Sequence, residues 1–189
     1  LEDLVATWPS RPDLRYAAAL ACTNLANSLN HAQRDLDRVL ELVDRGFELL
    51  EPCSGLETLP LSTPRLEMLL AYNESLALCL LEDLEPAWTA IEAFEGRIDG
   101  DPRMTRFLSD LWNEWILALR RAMPAGVERD ELERQPRERM YESLRLAIQR
   151  GYRDLEELRT NPALDPFRED EEYARILETA RKNNDDPEW

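Results

Sequence analysis

Three short segments, TNLANSL from Thr23, YNESLAL from Tyr72 and WNEWILAL from Trp112, each carry an asparagine at the second place: Asn24, Asn73 and Asn113. Asn27 adds a fourth carboxamide close to the first. A carboxamide both donates and accepts hydrogen bonds without carrying charge. It can therefore pair with the backbone of an extended peptide whatever that peptide's sequence. The other use open to these amides is bonding inside their own helix pair. Either way the chemistry is recognition or packing, not the making of bonds.

Groups for covalent chemistry are scarce. Lys182 is the only lysine and His31 the only histidine. The glycines Gly46, Gly55, Gly96, Gly100, Gly126 and Gly151 never cluster, so there is no loop to cradle phosphates and no lysine beside one. The strand lysine and HRD-type loop of a protein-kinase core are also missing. A Ser-His-Asp triad would have to use His31, next to Asn30 at an expected helix end. Cys22, Cys53 and Cys79 form no CxxC pair and, with one histidine, make a poor zinc set. The acid pairs Glu156-Glu157 and Glu171-Glu172 are adjacent, so on helices their carboxylates diverge. No catalytic residue, metal ligand or cofactor is assigned, and the chain reads as a non-enzyme.

The formal net charge of -16 disfavours contact with phosphate backbones, so no nucleic acid is expected. The surplus acid reads first as a solvated surface and second as a site for a basic partner. With 43% hydrophobic residues in 189, the chain can build a core. The longest strongly apolar run, Leu76 to Leu81, falls far short of the ~20 residues of a membrane helix, so no membrane partner is expected. Cys22 and Cys79 sit in apolar helical patterns, where a free thiol behaves as a small hydrophobe, which points to a reducing, cytoplasmic setting. The first residue is Leu1, with no signal-like segment, and the chain reads as a fragment of a longer protein.

The elements that would position the carboxamides are all helices. Leu14, Ala18, Cys22, Leu25 and Leu29 predict a helix from Asp13 to Asn30, with Ser10 as its N-cap and Pro12 in its first turn. Leu36, Val39, Leu40, Val43, Phe47 and Leu50 predict a second from Asp35 to Leu50, packed antiparallel on the first. After a loop from Glu51 to Pro64, helices are expected over 65–81 and 86–98, and a fifth begins after Asp101-Pro102. That fifth helix carries Phe107, Leu108, Leu111, Trp112, Trp115, Ile116 and Leu119, a face wide enough to be buried between two neighbours. RAMPAGVERDELERQP reads as a connector, followed by a helix over 137–150 that Gly151 ends as a left-handed cap. A short helix over 152–158, a stop at Asn161-Pro162, a last helix over 169–181 and a frayed polar tail complete the chain. Trp8, Trp88 and Trp112 are candidates for exposed anchors, with burial in the core as the alternative.

The middle pair, AYNESLALCLLEDLEPAWTAIEAFEGRID from Ala71, resembles a tetratricopeptide repeat. Ser75 and Ala87 stand at the family's small-residue sites, where two helices of a hairpin cross closely; Phe94 and Glu74 depart from its pattern. NLANSL places Ala26 at the same site in the first pair, and Trp115 replaces it in the third. LRLAIQRGYRDLEELRTNPALDPFREDEEYARIL, with Gly151, Tyr152, Pro162 and Pro166, resembles the segment that ends many bacterial tetratricopeptide arrays. The resemblance implies an all-α, right-handed solenoid of about three antiparallel helix pairs, over 11–52, 63–100 and 101–150. Capping helices over 151–183 and a tail over 184–189 would follow. There Tyr152, Leu155, Leu158, Leu164, Phe167, Tyr173 and Leu177 would cover the terminal apolar face.

It further implies a non-catalytic module that binds a protein or peptide partner in a concave groove lined by Asn24, Asn27, Asn73 and Asn113, within a larger bacterial signalling protein such as a Ser/Thr protein kinase. The alternative is a purely structural spacer or a homodimerisation domain of such a kinase.

Overall fold

The computed structural model of the chain describes residues 2–7, 11–53, 63–98 and 100–185, and among them every regular element is a helix. Two compact units divide the chain, Leu1–Arg97 and Ile98–Trp189. Ser10, Trp8, most of the 51–64 loop and the last four residues of the tail lie outside the described residues.

The first unit contains α1 (Glu2–Thr7), α2 (Pro12–His31), α3 (Leu36–Leu50), a 3-10 turn at Glu51–Cys53, α4 (Thr63–Leu80) and α5 (Leu84–Glu95). The sequence reading did not foresee α1. Pro12, with its preset φ, and Asp13 open α2, where the missing proline N–H would have had no partner. In space α2 packs on α3, α3 on α4, α4 on α5, and α2 on α4. Val39, Val43, Leu49 and Leu50 of α3 meet Ala19 and Ala26 of α2 and Leu66, Leu70 and Ala77 of α4 in one buried cluster. Gly46 allows α3 and α4 to approach closely: a Cβ there would lie 2.6 Å from Leu70 Cδ2. Ser75 and Ala87 are both fully buried on α4 and α5, and the Ser75 hydroxyl donates to the Ala71 carbonyl at 2.8 Å. Phe94 is buried as well, its ring 6.0 Å from that of Tyr72.

The two hairpins of this unit turn in the same way. After α2, the Gln33 N–H donates to the Asn30 carbonyl at 2.9 Å and the Arg34 N–H to the Leu29 carbonyl at 3.1 Å, with Gln33 at φ 49°. After α4, the Glu82 N–H donates to Cys79 at 3.1 Å and the Asp83 N–H to Leu78 at 3.1 Å, with Glu82 at φ 61°. This double bond around a left-handed residue closes the last helical carbonyls, and glycine is the residue that fits it without steric cost. The same pattern ends the helix Val127–Gln149 of the second unit, where Gly151 takes φ 98°.

Opposite outcomes follow for substitutions at these turns. Gln33→Gly should stabilise the chain by about 0.5 kcal/mol, the left-handed penalty outweighing the added chain entropy of glycine. Gly151→Val should cost about 1 kcal/mol or more. Urea midpoints read both, and a midpoint unmoved in Gly151→Val would contradict the cap.

The second unit contains α6 (Pro102–Ala122), α7 (Val127–Gln149), α8 (Leu155–Thr160), a 3-10 turn at Pro162–Phe167 and α9 (Glu171–Asp185). The Asp101 carboxylate caps α6 by accepting from the N–H groups of Arg103 at 2.7 Å and Met104 at 3.2 Å. The wide apolar face of α6 is buried as expected, and Trp112 and Trp115 belong to the core; Trp88, in the first unit, is half-buried. The segment read as a connector is helical from Val127, with Pro136 buried inside α7. The last helix likewise runs on to Asp185, and the Asn184 side chain donates to the Arg153 carbonyl at 3.1 Å. α9 packs on α7 and α8, and the second 3-10 turn packs on α6. Leu158, Leu164, Phe167, Tyr173, Ile176 and Ala180 are buried there, while Tyr152, Leu155 and Leu177 are half-buried. Pro162 and Pro166 lie exposed on the turn that folds the chain back.

Candidate functional site

The four candidate carboxamides do not share a surface. Asn24 and Asn27 are exposed on α2, whereas Asn73 is 2% and Asn113 0% exposed. Asn73 is committed to packing: its Nδ2 donates to the Leu69 carbonyl at 2.7 Å, and both its Oδ1 and its backbone carbonyl accept from Asn30 Nδ2, at 3.1 and 3.0 Å. The expectation that Asn73 and Asn113 line an open groove is corrected by their burial. Asn30, which the sequence reading took only as a helix end, is the partner that joins α2 to α4. Its spacing from Thr23 and Ala26, at i+7 and i+4, places it on the same buried face and was the available signal.

Cys53 and Cys79 are buried and Cys22 half-buried, none of the three in a disulfide, and burial pushes the Cys53 thiol up. His31 is exposed at the end of α2, and Lys182 lies 3.6 Å from Glu178. Among the described residues no cluster of histidine, cysteine and carboxylate could hold a metal ion, and no helix is long and apolar enough to cross a membrane. Acid gathers around Phe47, where Asp44, Glu48, Glu51 and Glu67 border an open groove of ≈ 640 Å³ and Arg97 stands 5.9 Å from the ring centre. Burial, reinforced by Asp44, pushes the nearby Glu74 carboxyl up.

The densest electrostatics lie in the second unit, where the sequence reading named Glu157 only as one of two adjacent acids and did not single out Arg106 or Glu133. Arg106 of α6 is 1% exposed. Its guanidinium meets Glu157 at 2.8 and 3.2 Å, Asp110 at 2.5 Å and the Ser109 hydroxyl at 2.8 Å. Glu157 also accepts from the Tyr152 hydroxyl at 3.1 Å and from Asn161 Nδ2 at 2.8 Å, so α6 and α8 are tied through one buried cation. Burial pushes the Asp110 carboxyl up more than Arg106 draws it down. Toward the other end of α6, Glu133 of α7 is 3% exposed and takes Arg120 at 2.8 and 2.9 Å, Arg137 at 3.0 Å and Arg129 at 3.3 Å. Arg120 and Arg137 each stand 5.5 Å from the Phe167 ring centre, and Arg137 reaches Asp170 at 3.3 Å, which also accepts from the Tyr141 hydroxyl. These groups spend their bonds on one another and fasten the fold-back to α6 and α7.

Burial works against ionisation of Glu133, but the hydrogen bonds and charges of Arg120 and Arg137 outweigh it and hold the carboxyl below its usual range. A depressed folded value gives stability that is present above the unfolded value of ~4.3 and is lost as pH falls through the folded one. The stability gap between the native chain and Glu133→Gln should therefore narrow on acidification from about pH 6 to about pH 3. A gap constant over that range in urea titrations would show that Glu133 is not held ionised by its arginines.

No protein-family model, curated protein or solved structure matches the chain.

Proposed function

We propose that the chain is a non-catalytic protein-interaction or scaffolding module, built as an array of helix pairs of the tetratricopeptide kind, that binds a peptide or helix of a protein partner. The observation that carries this reading is on α2. Leu25, 48% exposed, shares the exposed side of α2 with the carboxamide of Asn24 and the Ser28 hydroxyl, an apolar contact beside groups that both donate and accept. The internal register supports the array. Asn24 and Asn73, and the left-handed residues Gln33 and Glu82, occupy the same places in two successive hairpins. The groups that do carry charge inside the fold are paired with one another, in keeping with a binding rather than a catalytic role.

A random-peptide display library panned against the 189-residue chain tests this. Peptides should be enriched, and their affinity should fall by about tenfold or more in Leu25→Asp while holding in Thr89→Asp on the exposed side of α5. No enrichment, or affinities indifferent to Leu25→Asp, would overturn the reading. Light scattering that shows a dimer dissolved by Leu25→Asp would instead make this a homodimerisation domain.

A further inference from the structure

The two hairpins of the first unit can be superposed in register by their turns: Gln33 and Glu82 are the left-handed residues, and each lies nine places after Asn24 and Asn73 respectively. Leu66, Leu70, Asn73 and Ala77 form the face with which α4 packs on the preceding hairpin; all are buried, Leu70 against Gly46 and Asn73 against Asn30. The same register assigns Ala17, Ala21, Asn24 and Ser28 to the corresponding face of α2. These are open: Ala21, Asn24 and Ser28 are exposed and Ala17 is half-buried, with exposed Leu25 at the edge. α1 packs on α2 yet leaves them uncovered. From Tyr16 to Asn30 there is no charged residue, in a chain that is 33% charged. A solvated helix face in such a chain would carry acids and arginines; this one is shaped like the internal interface two helices further on.

We infer that the Ala17–Ser28 face of α2 is a stacking surface that receives an amphipathic helical hairpin from a partner protein, as α4 is received by α2 and α3. The partner is defined by the chemistry of the internal pair. It presents an uncharged ridge, since no countercharge stands between Tyr16 and Asn30. It brings a carboxamide opposite Asn24, as Asn30 stands opposite Asn73. Small side chains at Ala17, Ala21 and Ser28 let its backbone come close. The inference rests on the interaction-module reading and narrows it from a peptide or helix in general to a hairpin stacked in a fixed register.

The probe is a displayed library of two-helix hairpins with varied outer faces, selected against the full chain. Selected hairpins should lose at least about tenfold in affinity in Ala21→Arg, whose long charged side chain stands on the exposed face without touching the core. They should lose about two- to tenfold in Asn24→Leu, which removes one hydrogen-bonding group, and be unchanged in Thr89→Arg on the exposed side of α5. Far-ultraviolet circular dichroism of each variant checks that the helices remain. Binders weakened by Leu25→Asp and indifferent to Ala21→Arg would overturn the stacking surface and leave the interaction module standing. Failure to enrich any hairpin while linear peptides bind would do the same. A chain that dimerises alone, and ceases to in Ala21→Arg, would assign the face to a second copy and overturn a partner hairpin.

Discussion

A chain ended after Arg150 is expected to aggregate or to lose the fold of its second unit. The cut removes Leu158, Leu164, Phe167, Tyr173 and Ile176, all buried, and bares the faces of α6 and α7 on which they pack. Burying one such side chain contributes ~1.5–3 kcal/mol. Halved for chain ordering and for partial burial in the unfolded chain, the loss still rivals the ~5–15 kcal/mol that holds a domain together. It also takes Glu157 from Arg106 and Asp170 from Arg137, leaving buried or half-buried guanidinium groups without those partners. The exposed apolar patch then favours self-association. Ending the chain after Lys182 should cost about 1 kcal/mol or less, since it removes one hydrogen bond, from Asn184, and no buried apolar side chain among the described residues. Light scattering and thermal melts of the two truncations decide it. An Arg150-ended chain that stays monomeric with an unaltered melting temperature would show that the fold-back is not a cap.

Glu157→Leu is expected to cost about 3 kcal/mol, and Arg106→Met/Glu157→Leu distinctly less. In the single variant Arg106, almost wholly buried, keeps only Asp110 as a charged partner. In the double variant the buried cation is gone and a flexible apolar side chain of similar length takes its place. Asp110 then loses its cation, but burial already pushes that carboxyl toward its neutral form, which relieves the charge left behind. Tyr152 and Asn161 lose their acceptor in both variants, so the difference isolates the guanidinium. Denaturant midpoints give the comparison. A double variant at least as unstable as the single would mean that the ion pair itself, not the stranding of Arg106, holds α8 to α6.

Punctuation made much of the fold legible. Pro12, Asp101-Pro102 and Gly151 act through backbone groups that belong to the residue itself, and here they mark helix ends. The start of α7 was not legible because Gly126 and Pro136 read as breakers. Pro136 costs one backbone bond, yet Arg129, Glu133 and Arg137, spaced by four, converge only when the segment is helical, and their ion cluster is a contact that local propensity does not contain. The candidate site was half legible. Asparagine at equal places in three helices was visible, but whether an amide faces solvent depends on which neighbour covers that face. Asn73 is covered by α2 and α3, whereas Asn24 is exposed on α2. The charged clusters around Arg106 and Glu133 were not legible, since their i, i+4 pairs look like ordinary surface pairs and the partners that bury them, Glu157 and Arg120, lie 51 and 13 places away.

Hydrogen–deuterium exchange of the full chain, with and without a peptide or hairpin enriched by selection, tests the interaction module most directly. The module read here predicts slowed exchange along α2 around Asn24 and Leu25, with α9 and the fold-back unchanged. Protection confined to α7 and α9, or no protection anywhere at saturating ligand, would contradict it.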